Sequence, residues 1–118
     1  MALFSMDATA KAITAGTTQT FAGATPVLSD YTVVTTAVAA DGIVLPTVAP
    51  GKVILIKNAS ANAGKVYVEN GGTIDGTAGA TGVAGSLTAS VGVFYACTGY
   101  VAGTVGQASV WVKVGALA

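Results

Sequence analysis

Apolar and polar positions along the chain fall into short runs that are typical of β-strands. Residues 31–38, "YTVVTTAV", consist mainly of Thr and Val, whose β-branched side chains fit a pleated sheet better than a helix. Residues 52–58, "KVILIKN", form an apolar run that is too short for a helix. In residues 65–70, "KVYVEN", Val66 and Val68 lie on one face and the polar or aromatic residues on the other. The pattern predicts three strands.

The connection between the second and third of these strands, "ASANAG", is a cluster of turn-forming residues of hairpin length. It predicts an antiparallel pair over residues 52–70. Residues 86–100 and 107–116 supply the last strands, and the final one alternates valines with Trp111 and a lysine, so that it has one aliphatic face. Strands at this spacing, separated by turn signals, indicate an all-β fold, a small antiparallel β-sandwich or barrel.

Glycines mark the turns. Asn70-Gly71 and Asp75-Gly76 offer two places for a positive φ within a few residues, so we expect two tight turns there. Beyond them a glycine recurs at every third position over residues 76–85, a spacing with too few triplets and no proline for a collagen helix. The segment is interpreted as a flexible surface loop, with close packing against neighbouring backbone as the alternative.

The N-terminal stretch departs from the strand pattern. Residues 1–25 consist mostly of Ala, Thr and Gly with few large apolar side chains, which is too little to build a layer of structure. They are predicted to form an extended arm, and residues 26–118 the β-domain. Leu3, Phe4 and Phe21 are the candidate partner contacts, because an apolar side chain on such an arm is best explained by a pocket on a neighbouring molecule.

Composition narrows the possible partners. The 118 residues suit a single domain, and five Lys balance five acidic residues, with no Arg or His and only 8% of residues charged. Binding to nucleic acid or to an anionic membrane is therefore not expected. No apolar run is long enough for a membrane-spanning helix, and the first residues lack the features of an export signal, so we expect a soluble protein made in the cytoplasm.

The single Cys97 lies among strand formers and is predicted to be buried and unreactive.

Residues for catalysis are sparse. Without histidine the chain holds neither an imidazole-based triad nor an ordinary zinc site, so no enzyme, no cofactor and no metal is predicted. Glu69 and Asp75 flank the double turn and leave a calcium site as a minor alternative. Trp111, Tyr67 and Tyr100 allow an aromatic surface that stacks on sugars, but their dispersion along the chain favours core and interface positions.

Three consecutive segments carry a family resemblance: "VVTTAVAADGIVLP", "PGKVILIKNAS" and "KVYVENGGTIDG". Their order resembles a module found in structural proteins of tailed bacteriophages, in small capsid decoration proteins and in head or tail fibre components. The module has a Thr-rich strand, Gly-x-x-Leu-Pro, a Gly-led apolar strand ending in Asn, a Val-Tyr strand and Gly-x-x-Ile-Asn/Asp-Gly. The likeness covers residues 27–76, and Val68 stands where many members carry proline.

The resemblance implies a non-enzymatic virion protein located on the capsid surface. On this hypothesis the chain is a decoration, or cement, protein that binds the major capsid protein through loops and the arm, forms a homotrimer and stabilises the head. The alternative is a fibre tip domain that binds a receptor or glycan, with Trp111, Tyr67 and Tyr100 lining its site. Near-zero net charge suits close packing of many copies, because a strongly charged array would repel itself.

Overall fold

The computed structural model describes residues 11–16, 20–36, 41–80, 82–87, 89–90 and 92–117, with the side chains of 11–13, 83–87 and 115–117 left aside. A 3₁₀ turn covers Glu69–Gly71. In this part of the chain the strands are β1 Lys11–Thr14, β2 Thr25–Pro26, β3 Tyr31–Thr35, β4 Gly42–Leu45, β5 Val53–Asn58, β6 Gly64–Val68, β7 Thr73–Ile74, β8 Thr77–Ala78, β9 Val83–Leu87, β10 Gly92–Tyr100 and β11 Ser109–Leu117.

The strands form two sheets that pack face to face. One has seven strands in the order β1-β3-β5-β10-β11-β7-β8, and the other has four in the order β2-β4-β6-β9. The predicted all-β sandwich is confirmed. Among the described residues no helix is long and apolar enough to cross a membrane.

Strand directions differ from the predicted antiparallel arrangement. From β1 to β6 the chain alternates between the two sheets, so every second strand returns to the same sheet in the same direction. As a result β1 pairs with β3, β3 with β5, β2 with β4 and β4 with β6, all in parallel. At the centre of the seven-stranded sheet, β10 lies between β5 and β11 and runs antiparallel to both. The sandwich is therefore mixed.

The predicted hairpin over residues 52–70 is wrong for the same reason, because β5 and β6 lie in different sheets. The turn-forming segment between them crosses from one sheet to the other, and hydrogen bonds from buried Asn58 hold it in place. The Asn58 Oδ1 atom accepts from the Ser60 amide at 3.1 Å and from its hydroxyl at 2.7 Å, while Nδ2 donates to the Asn62 carbonyl at 2.7 Å. Thr36 Oγ1 also contacts the Ser60 hydroxyl, which ties the crossing to the end of β3.

The hydrophobic core lies between the sheets. Alternate residues of β3 and β5 are buried, as expected where one face of a strand covers a core. In β4 every residue is buried. On the side away from the core, Ala24 lies close to Gly42 and Phe21 packs against Tyr67 of the adjacent strand β6. The apolar cluster between the sheets consists of Ala15, Val27, Val34, Ile43, Leu45, Ile54, Ile56, Val66, Val68, Ile74, Val93, Tyr95, Cys97 and Trp111.

Part of the predicted arm belongs to the β-sandwich. Residues Lys11–Thr14 form the edge strand β1 of the seven-stranded sheet, and Ala15 is part of the core at 2% exposure. Gly16 then exchanges two backbone hydrogen bonds with Gly42, at 2.8 and 2.9 Å. Of the predicted arm contacts, Leu3 and Phe4 lie outside the described residues.

The glycine-rich segment is built into the sheets, which contradicts its interpretation as a flexible loop. Asp75 (φ 50°) and Gly76 (φ 81°) form the expected two-residue turn, here between β7 and β8. A Cβ added at Gly79 would lie 2.5 Å from the Val68 Cβ and 2.8 Å from the Gly72 carbonyl oxygen. The alternative, close packing against neighbouring backbone, is therefore correct at Gly79.

Candidate interaction surfaces

The seven-stranded sheet exposes an apolar face on the side away from the core. Because Trp111 points into the core, the aliphatic face predicted for the last strand points outward. The strand register aligns outward side chains in rows, with Leu55 between Tyr31 and Phe94, and Ala96 between Val53 and Val112. This surface, called the outer face below, consists of Tyr31, Val33, Val53, Leu55, Phe94, Ala96, Val110 and Val112, all partly exposed.

Charge is confined to the margin of the outer face. Lys57 lies one row beyond Leu55, and its Nζ donates to the Ser90 carbonyl at 3.0 Å, so the ammonium group is directed towards the 89–90 turn. Lys52 forms an ion pair with Asp30 at 2.5 Å, next to the start of β3. The rows centred on Leu55 and Ala96 therefore carry no charged side chain in the described strands.

The second surface is a shallow cleft of about 550 Å³ beside the 3₁₀ turn. Phe21 forms one wall; its ring packs edge-on against the Tyr67 ring, with centroids 6.0 Å apart, and remains 39% exposed. Phe21 thus contacts its own chain, where the sequence had predicted an arm contact to a neighbour. The lining residues are Phe21, Val68, Glu69, Asn70, Gly71 and Ala80.

Hydrogen bonds to Thr47 fix the polar wall of this cleft. Glu69 Oε2 accepts from the Thr47 amide at 3.4 Å, and Asn70 Nδ2 donates to the Thr47 hydroxyl at 3.0 Å. Asn70 and Gly71 both have positive φ, as their turn-forming sequence predicts. The cleft therefore presents a carboxylate and an amide next to an aromatic ring.

Two of the three aromatic residues considered for a sugar-stacking surface are buried. Trp111 is 0% exposed between the sheets, and its indole Nε1 has no hydrogen-bond acceptor among the described residues. Tyr67 is 1% exposed because Phe21 and Gly82 cover its ring and the Lys65 Nζ lies 5.6 Å from the ring centroid. Only Tyr100, at the end of β10, is partly exposed. The aromatic surface is thus wrong: Trp111 lies in the core between the sheets, and Tyr67 is buried against Phe21 on the other face of β6.

Cys97 is buried, as predicted, with 2% of its surface exposed. It lies on the core side of β10, directly opposite Trp111 in the pairing with β11. Its Sγ atom approaches the carbonyl oxygens of Gly99 at 3.5 Å and Val48 at 3.6 Å. The thiol is enclosed by core residues and backbone.

The two carboxylates considered as calcium ligands accept hydrogen bonds from different backbone amides. Glu69 binds the Thr47 amide, whereas Asp75 Oδ1 accepts from the Lys113 amide at 3.2 Å and so links the β7–β8 turn to β11. Over the described residues no group of three His, Cys, Asp or Glu side chains is arranged to hold a metal ion.

Sequence reasoning missed the outer face. The signal was present in residues 52–58, where apolar side chains occupy both faces of the strand.

Comparison of the chain with protein-family models, with curated proteins and with solved structures finds no match.

Proposed function

We propose that the protein is a non-enzymatic structural component of a bacteriophage virion, a capsid decoration protein that binds the outer capsid surface as a trimer and stabilises the head. The outer face is the observation that carries this proposal. An apolar, partly exposed sheet face is suited to contact with other proteins, because covering it removes apolar surface from water. The sequence resemblance over residues 27–76 to structural proteins of tailed bacteriophages is the reason to propose a capsid as the partner.

Repetition makes a modest contact effective in such a role. A packaged genome pushes outward on the shell, and a standard protein interface buries about 800 Å² on each partner. A decoration protein repeats its contact at many equivalent sites, so its binding free energy is added at every junction between capsid subunits. A formal net charge of zero allows many copies to lie close together without mutual repulsion.

Residues 1–10 are the proposed attachment to the major capsid protein, with Leu3 and Phe4 as apolar anchors. Strand β1 begins at Lys11 and pairs on one side with β3, at the edge of the seven-stranded sheet. The other edge of β1 is therefore open to a neighbouring molecule in the described part of the chain. Deleting residues 2–10 leaves β1 and Ala15 in place.

The test uses capsids assembled without this protein. The full chain is expected to co-sediment with these capsids and to raise the temperature at which they release DNA. The chain lacking residues 2–10 is expected to remain folded by circular dichroism but to stay in the supernatant. If decorated and bare particles release DNA at the same temperature, the cement role is refuted. If the shortened chain binds at full occupancy, residues 1–10 are not the anchor.

The cleft favours a second candidate, a fibre tip domain that binds a receptor glycan. Phe21 offers an apolar ring for the face of a sugar, while Glu69 and Asn70 offer hydrogen-bonding groups at the same cleft. This candidate predicts saccharide binding that is lost in Phe21→Ala but kept in Leu28→Ala, a control at a side chain that is 83% exposed. Absence of saccharide binding by the full chain on a glycan array would refute it.

A further inference from the structure

We propose that residues 1–10 fold back across the outer face of their own chain and cover it in the free protein. The outer face is then a docking site, and its occupant is the segment that precedes β1. This segment contains four large apolar side chains: Met1, Leu3, Phe4 and Met6. The inference concerns the free protein, and so it goes beyond the proposed function, which assigns the same segment to the capsid-bound state.

The segment joins the sheet at the level of the apolar rows. Lys11, the first residue of β1, pairs with Thr32, the residue after Tyr31. Tyr31 is level with Leu55 in the pairing of β3 with β5, and Leu55 is level with Phe94 in the pairing of β5 with β10. The chain before Lys11 therefore meets the edge of the seven-stranded sheet beside the row that is centred on Leu55.

The length of the segment matches the width of the face. From β1 to β11 the sheet has four strand spacings of ~4.8 Å, which add up to about 19 Å. An extended chain advances ~3.3 Å per residue, so six residues cover about 20 Å. Phe4 lies six positions before Ala10, the residue next to β1, and can therefore reach β11. Met6, two positions later, can reach β10.

Charge in the segment also complements the face. Asp7 is the one charged side chain of residues 1–10, and it lies three positions before Ala10. Three extended residues cover about 10 Å, or two strand spacings, which brings Asp7 to the level of β5. The outward cation of β5 is Lys57, whose ammonium group has three N–H donors and gives one to the Ser90 carbonyl. Asp7 can therefore pair with Lys57 at the margin while the apolar side chains cover the centre.

The covalent connection favours this occupant over a separate molecule. A short flexible tether gives its end an effective concentration on the order of millimolar, which exceeds that of most proteins in solution. The segment thereby covers an apolar surface that would otherwise attract other proteins. On the proposed function, release of the segment exposes the outer face together with Leu3 and Phe4, so one step makes both capsid contacts available.

A nitroxide label locates the segment in the full chain without capsids. Ser5→Cys provides the attachment point, and Cys97 is expected to remain unlabelled in the native state because it is buried. A nitroxide broadens the NMR methyl signals of side chains near it. The signals of Leu55 and Val110, on β5 and β11, are expected to be broadened, because the segment crosses both strands.

Matched valine-to-lysine variants show whether this broadening depends on docking. Val112→Lys introduces a charge into the outer face, whereas Val105→Lys makes the same change at a side chain that is 84% exposed and outside the face. Broadening at Val110 is expected to fall several-fold in Val112→Lys and to persist in Val105→Lys. Circular dichroism and slow thiol labelling of Cys97 confirm that each variant is folded.

Dye binding provides a second readout. The double variant Leu3→Ser with Phe4→Ser is expected to raise the fluorescence of a dye for exposed apolar surface several-fold, because the outer face becomes uncovered. Leu28→Ser is the control, since it removes an apolar side chain that is 83% exposed and lies outside both the segment and the face. It is expected to cause no rise.

Three outcomes would overturn the inference. Equal broadening in Val112→Lys and Val105→Lys shows that the segment does not lie on the outer face. Equally strong broadening between spin-labelled chains and separate isotope-labelled chains shows that the occupant is a second copy. Unchanged dye fluorescence in the double serine variant shows that Leu3 and Phe4 do not cover the face. Because capsids are absent throughout, a protein that passes these tests but fails to protect particles refutes the proposed function and leaves this inference intact.

Discussion

Replacing Gly79 by alanine tests whether the glycine-rich segment is packed or loose. The Cβ of Gly79→Ala would lie 2.5 Å from the Val68 Cβ and 2.8 Å from both the Val68 amide nitrogen and the Gly72 carbonyl oxygen. Two of these three atoms belong to the backbone, so a side-chain rotation cannot relieve the contact. Gly99→Ala is the matched control, because no atom lies within 4 Å of its added Cβ and its φ is not positive.

The size of the effect follows from the cost of overpacking, which is typically ~1–3 kcal/mol. An unfolding entropy of ~2.1 cal/mol/K per residue over 118 residues gives about 0.25 kcal/mol/K, so each kcal/mol lowers Tm by about 4 °C. Gly79→Ala is therefore expected to lower Tm by roughly 4–12 °C. Gly99→Ala is expected to leave Tm unchanged or raise it slightly, because alanine reduces the entropy of the unfolded chain.

Thermal unfolding followed by circular dichroism measures both variants. The protein concentration must be the same in every sample, because self-association makes Tm depend on concentration. If Gly79→Ala and Gly99→Ala melt at the same temperature, Gly79 does not pack against Val68 and Gly72, and the segment behaves as the loop that its composition suggests.

Two further substitutions and one labelling experiment test the core and the surface. Asn58→Leu is expected to destabilise the fold by about 2 kcal/mol or more in urea unfolding, since it removes the acceptor for two hydrogen bonds from Ser60 at a buried site; unchanged stability would contradict a structural role for the side chain. Cys97 is expected to react slowly with a thiol reagent in the native state and rapidly in denaturant, and rapid native labelling would contradict its burial. Lys52→Ala is expected to change stability by less than about 1 kcal/mol, because its ion pair with Asp30 is partly exposed; a larger loss, insensitive to salt, would show a stronger pair.

Local sequence signals correctly predicted the strands β3, β5, β6, β10 and β11 and both turns. Asp75 and Gly76 form the tight connection that their residue types predict, because the positive φ of such a turn depends mainly on the two residues themselves. The apolar run that contains Ile54 and Ile56 is a strand, and Cys97 is buried in another. These features depend on conformational preferences within a few residues.

Pairing between strands could not be predicted in the same way. The segment after Asn58 has the length and composition of a hairpin turn, yet it leads to the opposite sheet. The parallel contacts that β5 makes with β3, and β6 with β4, join residues more than twenty positions apart. Register across such distances is determined by the whole set of strands.

By itself the sequence determined that this chain is an all-β protein without imidazole chemistry, because β-branched runs and residue types act locally. Tertiary structure alone decided which side of each strand became core. Trp111 is buried and Val112 faces outward because the second sheet covers only one side of β11, and burying the larger aromatic side chain removes more apolar surface from water. Tertiary structure also placed Gly79 against backbone, since its neighbours Val68 and Gly72 reach it only when the strands have assembled.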